Sequence, residues 1–288
     1  MSKKNPEYDF KWCPGCGDFG VKRALEMAVQ QRNIDLEMPM ANTVVVAGIG
    51  CSGNVVHLYD GDQPFGLHGI HGRTLPISFG VKMANPDLNV VIVSGDGDFL
   101  SIGGEHIAPM AQRNLNVTAV VMDNGVYGLT KGQSSPTTEL GVITPTTPFG
   151  KLENPLNPLE LYLTLGVSFV ASGFSSKIKD LTNLISQGMQ YPGFSIVHVQ
   201  SPCTTYNDNY DLLKGNTKKG IDPIVHDVPE SHDSSNKQAA YTLLQEEGIP
   251  LGIIYQRDEA NPLDKRVDAM REKANARDLE KQIAAFQI

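Results

Sequence analysis

V-V-I-V-S-G-D-G-D-F-L-S-I-G-G-E-H-I-A-P-M-A-Q-R-N-L-N-V-T-A-V-V-M-D-N-G-V-Y-G-L-T-K, from Val90 to Lys131, holds two short apolar runs, Val90–Val93 and Val117–Met122. Both have the length and β-branched composition of buried parallel strands. Each run ends in a burst of Gly, Asp and Asn, and Ser101–Asn114 between them has room for one helix. The unit is therefore strand, loop, helix, strand, and the handedness of such crossovers brings both strand ends to one edge of a sheet. In open α/β sheets that edge binds ligands.

The residues at those ends suit a charged ligand. Gly95 and Gly97 let the backbone approach closely, while Asp96 offers a carboxylate and Asn124 a neutral oxygen, a pair suited to Mg²⁺. A cation held there would in turn hold a diphosphate. G-D-G alone also fits a tight turn with a capping Asp. With the second strand end about one crossover later, the set resembles the thiamine diphosphate motif, a G-D-G followed by an Asn after a βαβ unit.

Composition narrows the class. The chain has 288 residues, 40% hydrophobic and 19% charged, which is ordinary for a globular fold with a large core. No apolar run reaches membrane-spanning length, and Met1–Asp9 is too polar for a signal peptide, so a cytoplasmic location is expected and no membrane partner. A net charge of -8 argues against a general nucleic-acid binder. There is no internal repeat.

All four cysteines sit in turns rich in Gly or Pro. Cys13 and Cys16 form W-C-P-G-C-G, Cys51 lies in G-I-G-C-S-G after the strand-like Thr43–Ala47, and Cys203 lies in S-P-C after the strand-like Phe194–Gln200. The sheet rule puts Cys51 and Cys203 on the edge that carries Asp96 and Asn124, where the C-x-x-C turn can close a four-thiolate cage. Structural zinc and a [4Fe-4S] cluster both accept four thiolates, and spacing does not separate them.

These pieces together resemble the β subunit of a 2-oxoacid:ferredoxin oxidoreductase. The matching segments are Trp12–Gly17, Gly48–Gly53, H-G-R at His71–Arg73, G-D-G-D at Gly95–Asp98, D-N-G-V-Y-G-L-T-K-G-Q at Asp123–Gln133 and Ser201–Cys203. The resemblance implies a doubly wound, mostly parallel α/β sheet of the thiamine diphosphate-binding type over residues 1–203, carrying the iron-sulfur site. An irregular C-terminal arm with helices, 204–288, would pack on the same domain or on a partner. It implies Cys13, Cys16, Cys51 and Cys203 as ligands of one [4Fe-4S] cluster, and Asp96, Asn124 and the Val126 carbonyl as Mg²⁺ ligands. Gly50, Cys51, His71, Gly95, Gly97, Asp98, Tyr127, Gly128, Leu129 and Thr130 would surround thiamine diphosphate. His71 and Arg73 match reaction-centre positions, and Lys131 matches a position near the substrate or coenzyme A, where a cation attracts carboxylate or phosphate.

Oxidative decarboxylation of a 2-oxoacid with coenzyme A and ferredoxin follows from the resemblance, reversible as a carboxylation of the kind used in a reductive TCA cycle. L-T-K-G-Q favours 2-oxoglutarate, giving succinyl-CoA, with pyruvate or broad specificity as the alternative. Asn54 stands where many members accepting dicarboxylates have Lys or Arg. A second class remains, a zinc-stabilised thiamine-binding regulatory subunit without redox turnover. No second set of strand-end motifs supplies the pyrimidine-activating glutamate, so an α subunit is expected to bring it, in an (αβ)₂ heterotetramer.

The remaining segments read more simply. Asp18–Gln31 is expected to be a helix capped by Asp18, and Pro76–Ala84 a helix opened by its proline. Leu159–Leu165, Ile178–Gln190 and Gln238–Glu247 are helix candidates, and Ser168–Ala171 a strand. Gly132–Pro158 reads as a long loop close to the site. Thr204–Asn236 reads as an irregular lid over the cluster, and Asn261–Phe286 as a solvated helix or docking tail.

Overall fold

A computed structural model of the chain describes residues 12–274, 279–284 and 286. The order of elements is α1 (Asp18–Asp35), β1 (Thr43–Ala47), α2 (Val55–Leu58), β2 (Phe65–His68), α3 (Thr74–Ala84), β3 (Asn89–Gly95), α4 (Ile107–Arg113) and β4 (Val117–Asp123). There follow β5 (Val126–Tyr127), β6 (Gln133–Ser134), α5 (Pro158–Leu165), β7 (Phe169–Phe174), α6 (Ile178–Gln190) and β8 (Phe194–Gln200). The last part holds α7 (Tyr210–Lys214), β9 (Val225–Asp227), α8 (Lys237–Leu244), β10 (Ile249–Gln256), α9 (Leu263–Ala274) and α10 (Leu279–Ala284).

The main sheet runs β2-β1-β3-β4-β8-β7-β10-β9. Strands β2 to β7 in that order are parallel, β10 runs antiparallel to β7, and β9 pairs parallel with β10. Parallel strands covered on both faces should be apolar throughout. Accordingly β1 and β4 are buried at every position. Their side chains alternate between two cores. Val44, Val46, Val90, Ile92, Ala119 and Val121 meet α3, α4, α5 and α8, whereas Val45, Val91, Val93, Val120 and Met122 meet α1 and α6.

From β1 the chain passes to β2 on one side and to β3 on the other. That reversal opens a crevice at the carboxyl ends of β1 and β3, where ligands of such sheets bind. Among the described residues strand β2 lies at the edge and pairs with β1 alone, and it is exposed at all four residues, with Phe65 at 63% and Leu67 at 42% exposure. The neighbouring Ile70 is exposed too.

Several sequence expectations are corrected. Asp18 does not cap α1 from outside: it is the first helical residue, Gly17 precedes it, and its buried carboxylate accepts the Ser201 hydroxyl at 2.6 Å. Helix α3 starts two residues before Pro76. Ser101–Asn114 is not one helix, because the chain first makes a π-helical turn (Gly97–Ile102) and a 3₁₀ turn (Gly104–His106) before α4. After Cys203 the chain adds β9 and β10 to the main sheet, two strands that the sequence reading did not assign. Helix α9 is docked by its first turn, where Asp264 is buried and Arg266 donates to the Arg113 carbonyl at 3.1 Å; the expectation for Asn261–Phe286 falls partly on residues outside those described.

Asn114 shows how the elements are joined. At the end of α4 it is left-handed, φ 48°, a conformation that Asn tolerates better than most residues. Its Oδ1 accepts from Ser168 Oγ at 2.6 Å and Phe194 N at 2.9 Å, and its amide donates to the Ala260 carbonyl. Asn114→Ala should therefore cost roughly 2–4 kcal/mol by leaving buried groups unpaired. Urea unfolding checks this, and a loss below about 1 kcal/mol would show that the hub contributes little.

Candidate active site

The crevice is lined by Ile49, Gly50, Cys51 and Ser52 after β1, by His71, by Gly95–Asp98 after β3, and by Asn124 and Val126–Thr130 after β4. Three strand ends thus bring together most of the residues singled out in the sequence. Glycine is needed where the walls are closest. A Cβ on Gly97 would strike the Tyr127 ring, and the Tyr127 hydroxyl donates to the Gly97 carbonyl at 3.2 Å. Gly128 faces the sulfurs of Cys51 and Cys203, which would lie 3.5 and 3.8 Å from a Cβ placed there.

Two acids meet here, Asp96 in the crevice lining and Asp123 just outside it. Asp96 is buried, and burial followed by the nearby Asp123 pushes its carboxyl up to about 7. The Ser135 and Thr137 hydroxyls and the Asn124 main-chain N–H oppose that rise, and the pairing of β3 with β4 sets the two strand ends side by side. Asn124 Oδ1 accepts from Val126 N at 3.0 Å, a turn that sets the amide oxygen and the Val126 carbonyl on one short loop. A carboxylate, an amide oxygen and a main-chain carbonyl beside a buried acid pair form a donor set that fits a hard divalent cation.

Behind these residues runs a buried chain of hydrogen bonds that no sequence pattern announced. Asp123 Oδ2 lies 3.0 Å from His198 Nε2, and His198 Nδ1 lies 3.2 Å from the Tyr162 hydroxyl. Asp123 Oδ1 accepts from Gly125 N at 2.9 Å and from Thr137 Oγ1 at 2.7 Å, and the same threonine oxygen is 2.8 Å from Asp96 Oδ2. Asp123 was visible beside Asn124 in D-N-G. His198 and Thr137 were hidden in a strand pattern and a loop.

Asp98 ties the walls together. It accepts from Ile49 N at 3.2 Å, Gly72 N at 2.7 Å and Ser94 Oγ at 2.5 Å. His71 Nδ1 is 2.5 Å from Asp98 Oδ1, a close polar contact without the alignment of a hydrogen bond. Arg73 lies outside the cavity lining. It donates to the Ile102 carbonyl at 2.9 Å and pairs with Glu105 at 3.3 Å. Lys131 is exposed, also outside the lining, at the tip of the β5–β6 hairpin with φ 86°. A left-handed lysine is an uncommon backbone state that clusters at functional loops.

The four cysteines are unpaired, and their turns are stitched together. Trp12 Nε1 donates to the Cys51 carbonyl at 2.7 Å, Gly17 N to the Pro202 carbonyl at 3.0 Å, and Thr204 Oγ1 to the Pro14 carbonyl at 3.0 Å. Among the described residues no three His, Cys, Asp or Glu side chains close to single-ion geometry. Burial, then the charge of Asp18, then Cys203 and Cys13, push the Cys51 thiol up to about 12, and burial with Asp18 raises Cys16 further. Asn207 connects this region to the loop after β4: its N–H donates to the Cys203 carbonyl at 3.0 Å and its amide to the Asn124 carbonyl at 2.8 Å.

Comparison with known proteins agrees with the geometry. Residues 48–199 match the thiamine pyrophosphate enzyme C-terminal TPP-binding domain, and residues 203–272 match the C-terminal family of the pyruvate ferredoxin oxidoreductase beta subunit. A 2-oxoacid:ferredoxin oxidoreductase subunit beta from Saccharolobus solfataricus is 38% identical, over 89% of this chain and 85% of that protein. The chain belongs to the 2-oxoacid:ferredoxin oxidoreductase β-subunit family. A 2-oxoglutarate oxidoreductase subunit from Mycobacterium tuberculosis is 38% identical over 76% of this β subunit and 56% of that protein. A solved 2-oxoglutarate:ferredoxin oxidoreductase from Magnetococcus marinus, with 2-oxoglutarate, coenzyme A and succinyl-CoA bound, superposes with a TM-score of 0.86 at 37% identity, covering 98% of this chain and 94% of that one. The resemblance read in the sequence, the parallel thiamine-type fold and the class of enzyme all hold. As a β subunit it is one chain of a multi-subunit enzyme, and no helix among the described residues is long and apolar enough to cross a membrane.

One more buried acid of this β subunit, Asp18, lies between Cys16 and Ser201, and burial raises its carboxyl from 3.8 to about 6. The folded, metal-free chain then binds this proton more tightly than the unfolded chain. Its contribution to stability is full below the unfolded value and is lost as pH rises through the folded one. The expected loss from Asp18 is on the order of 3 kcal/mol between pH 4 and 7, a slope that Asp18→Asn should remove. Urea unfolding of chelator-stripped protein at several pH values measures it, and parallel curves for wild type and variant would refute it.

Proposed function

We propose that this chain and an α subunit form a 2-oxoglutarate:ferredoxin oxidoreductase, converting 2-oxoglutarate and coenzyme A to succinyl-CoA and CO₂ with reduction of ferredoxin. The observation that carries this reading is the meeting, around Gly128, of the acid-bearing loop after β4 with the sulfurs of Cys51 and Cys203. One edge of one sheet would then hold both a diphosphate site and an electron acceptor. Thiamine diphosphate, when bound, supplies the nucleophile and electron sink that decarboxylation of a 2-oxoacid requires.

The chain's own residues bind and orient. Asp96, Asn124 Oδ1 and the Val126 carbonyl would hold Mg²⁺, with the backbone of Gly95, Gly97 and Gly128–Thr130 close to the diphosphate. Cys13, Cys16, Cys51 and Cys203 would hold a [4Fe-4S] cluster. Burial raises the Cys16 and Cys51 thiols further from the thiolate form, so binding a cluster through them would release protons. His71 would stand at the reacting end of the cavity, steadied by Asp98. Arg73, braced by Ile102 and Glu105, would support the same wall, and Lys131, at the exposed hairpin tip, would attract the distal carboxylate or coenzyme A. The α subunit would contribute the pyrimidine-activating glutamate in an (αβ)₂ assembly. Broad 2-oxoacid or pyruvate specificity is the second reading, favoured by relatives at 36–40% identity named simply for 2-oxoacids.

Protein purified without oxygen should be brown, bleach with reductant and contain acid-labile sulfide. Colourless protein with one zinc per chain would instead support a non-redox subunit. With the α subunit present, Lys131→Gln should raise the KM for 2-oxoglutarate by about tenfold, the loss of one exposed charge contact, while pyruvate is little affected. Equal effects on both substrates in a coenzyme A-dependent viologen assay would remove Lys131 from distal-carboxylate recognition.

A further inference from the structure

Lys151 is buried, and its ammonium donates to three main-chain carbonyls, Ser135 at 3.2 Å, Pro136 at 3.1 Å and Thr138 at 2.6 Å. Three donors meet three acceptors, so the group is fully satisfied inside the long loop between β6 and α5. The main chain around it is held as well. Gly141 N donates to the Lys151 carbonyl at 2.8 Å, Lys151 N to the Val142 carbonyl at 3.0 Å, and Leu156 N to the Pro136 carbonyl at 3.0 Å. The lysine thus serves as the internal frame of the 135–138 turn.

Two hydroxyls leave that turn for the acid-bearing loop. Thr138 Oγ1 donates to the Gly125 carbonyl at 2.6 Å while accepting from Ser135 N at 2.7 Å. Thr137 Oγ1 stands between Asp96 Oδ2 and Asp123 Oδ1, at 2.8 and 2.7 Å. A hydroxyl has one proton, so Thr137 donates to only one of these carboxylates at a time, while the Ser135 hydroxyl and the Asn124 N–H also act on Asp96. A cation at Asp96 would offset the negative charge that the pair concentrates there.

We propose that Thr137 and Thr138, presented by the Lys151-framed turn, are positioning residues for the divalent cation site. Thr137 would fix the carboxylate plane of Asp96, and Thr138 would fix the Gly125 backbone between Asn124 and Val126. The inference rests on the reading of Asp96, Asn124 and Val126 as cation ligands. Partners of this kind, which orient ligands without touching the metal, typically alter affinity by about 10–100-fold.

The test is calorimetric titration of Mg²⁺ into the chain with its α subunit at saturating thiamine diphosphate, for wild type, Thr137→Val, Thr137→Ser and Lys151→Met. Thr137→Val should raise the half-saturating Mg²⁺ concentration by about 10–100-fold, Lys151→Met should move it in the same direction, and Thr137→Ser should stay within about threefold of wild type. Cation-free melting temperatures of the two Thr137 variants should agree. Wild-type affinity in Thr137→Val, or equal weakening in the Val and Ser variants, overturns the proposal, and that comparison decides the matter even where Lys151→Met does not fold. If wild-type protein binds thiamine diphosphate without regard to Mg²⁺, it is the cation-site reading itself that fails.

Discussion

Two carboxylates placed side by side at the ends of buried strands repel each other and lose their water. Asp96 and Asp123 are in that position because the in-register pairing of β3 with β4 brings their loops together. The fold meets the cost unequally. Asp123 is surrounded by donors from Gly125, Thr137 and His198, whereas Asp96 is served by the Ser135 hydroxyl, the shared Thr137 hydroxyl and the Asn124 N–H, and burial still raises it. An acid held in low dielectric beside a second acid is a poor resting state and a good ligand.

The same edge brings a second chemistry within reach. After β8 the chain runs along the crevice, and Ser201 N donates to the Asp123 carbonyl at 2.7 Å before Cys203 and Asn207 make their contacts. Tyr210 then donates to the Gly15 carbonyl at 3.1 Å, in the C-x-x-C turn. One short segment therefore touches the acid pair, Asn124 and the sulfur-bearing turns. Displacement of that segment would disturb both sites together, which places their relative position under the control of hydrogen bonds rather than of a hinge.

What was legible in the sequence was what local physics dictates. Val90–Val93 and Val117–Met122 are continuous β-branched runs, and a parallel sheet requires such strands, so the edge on which the site lies followed from them. The cysteines were conspicuous because their turns need Gly and Pro. Elements that depend on tertiary partners were missed. Strand β10 includes Pro250 and Gly252, both of which normally argue against a strand, and it is stabilised by pairing with β7 on one side and β9 on the other. Asp18 has the composition of a cap and is instead drawn inward by Ser201, a residue 183 positions away. Thr137 lay in a stretch of Thr, Pro and Gly where nothing distinguishes one hydroxyl from the next until Lys151 shapes the turn.

Strand β2 has a different kind of importance. Among the described residues it leaves a row of main-chain groups open along one side, flanked by Phe65, Leu67 and Ile70. Such a margin accepts another strand with little discrimination. An uncovered margin of this length and apolarity is the part of the sheet most open to pairing with a second chain.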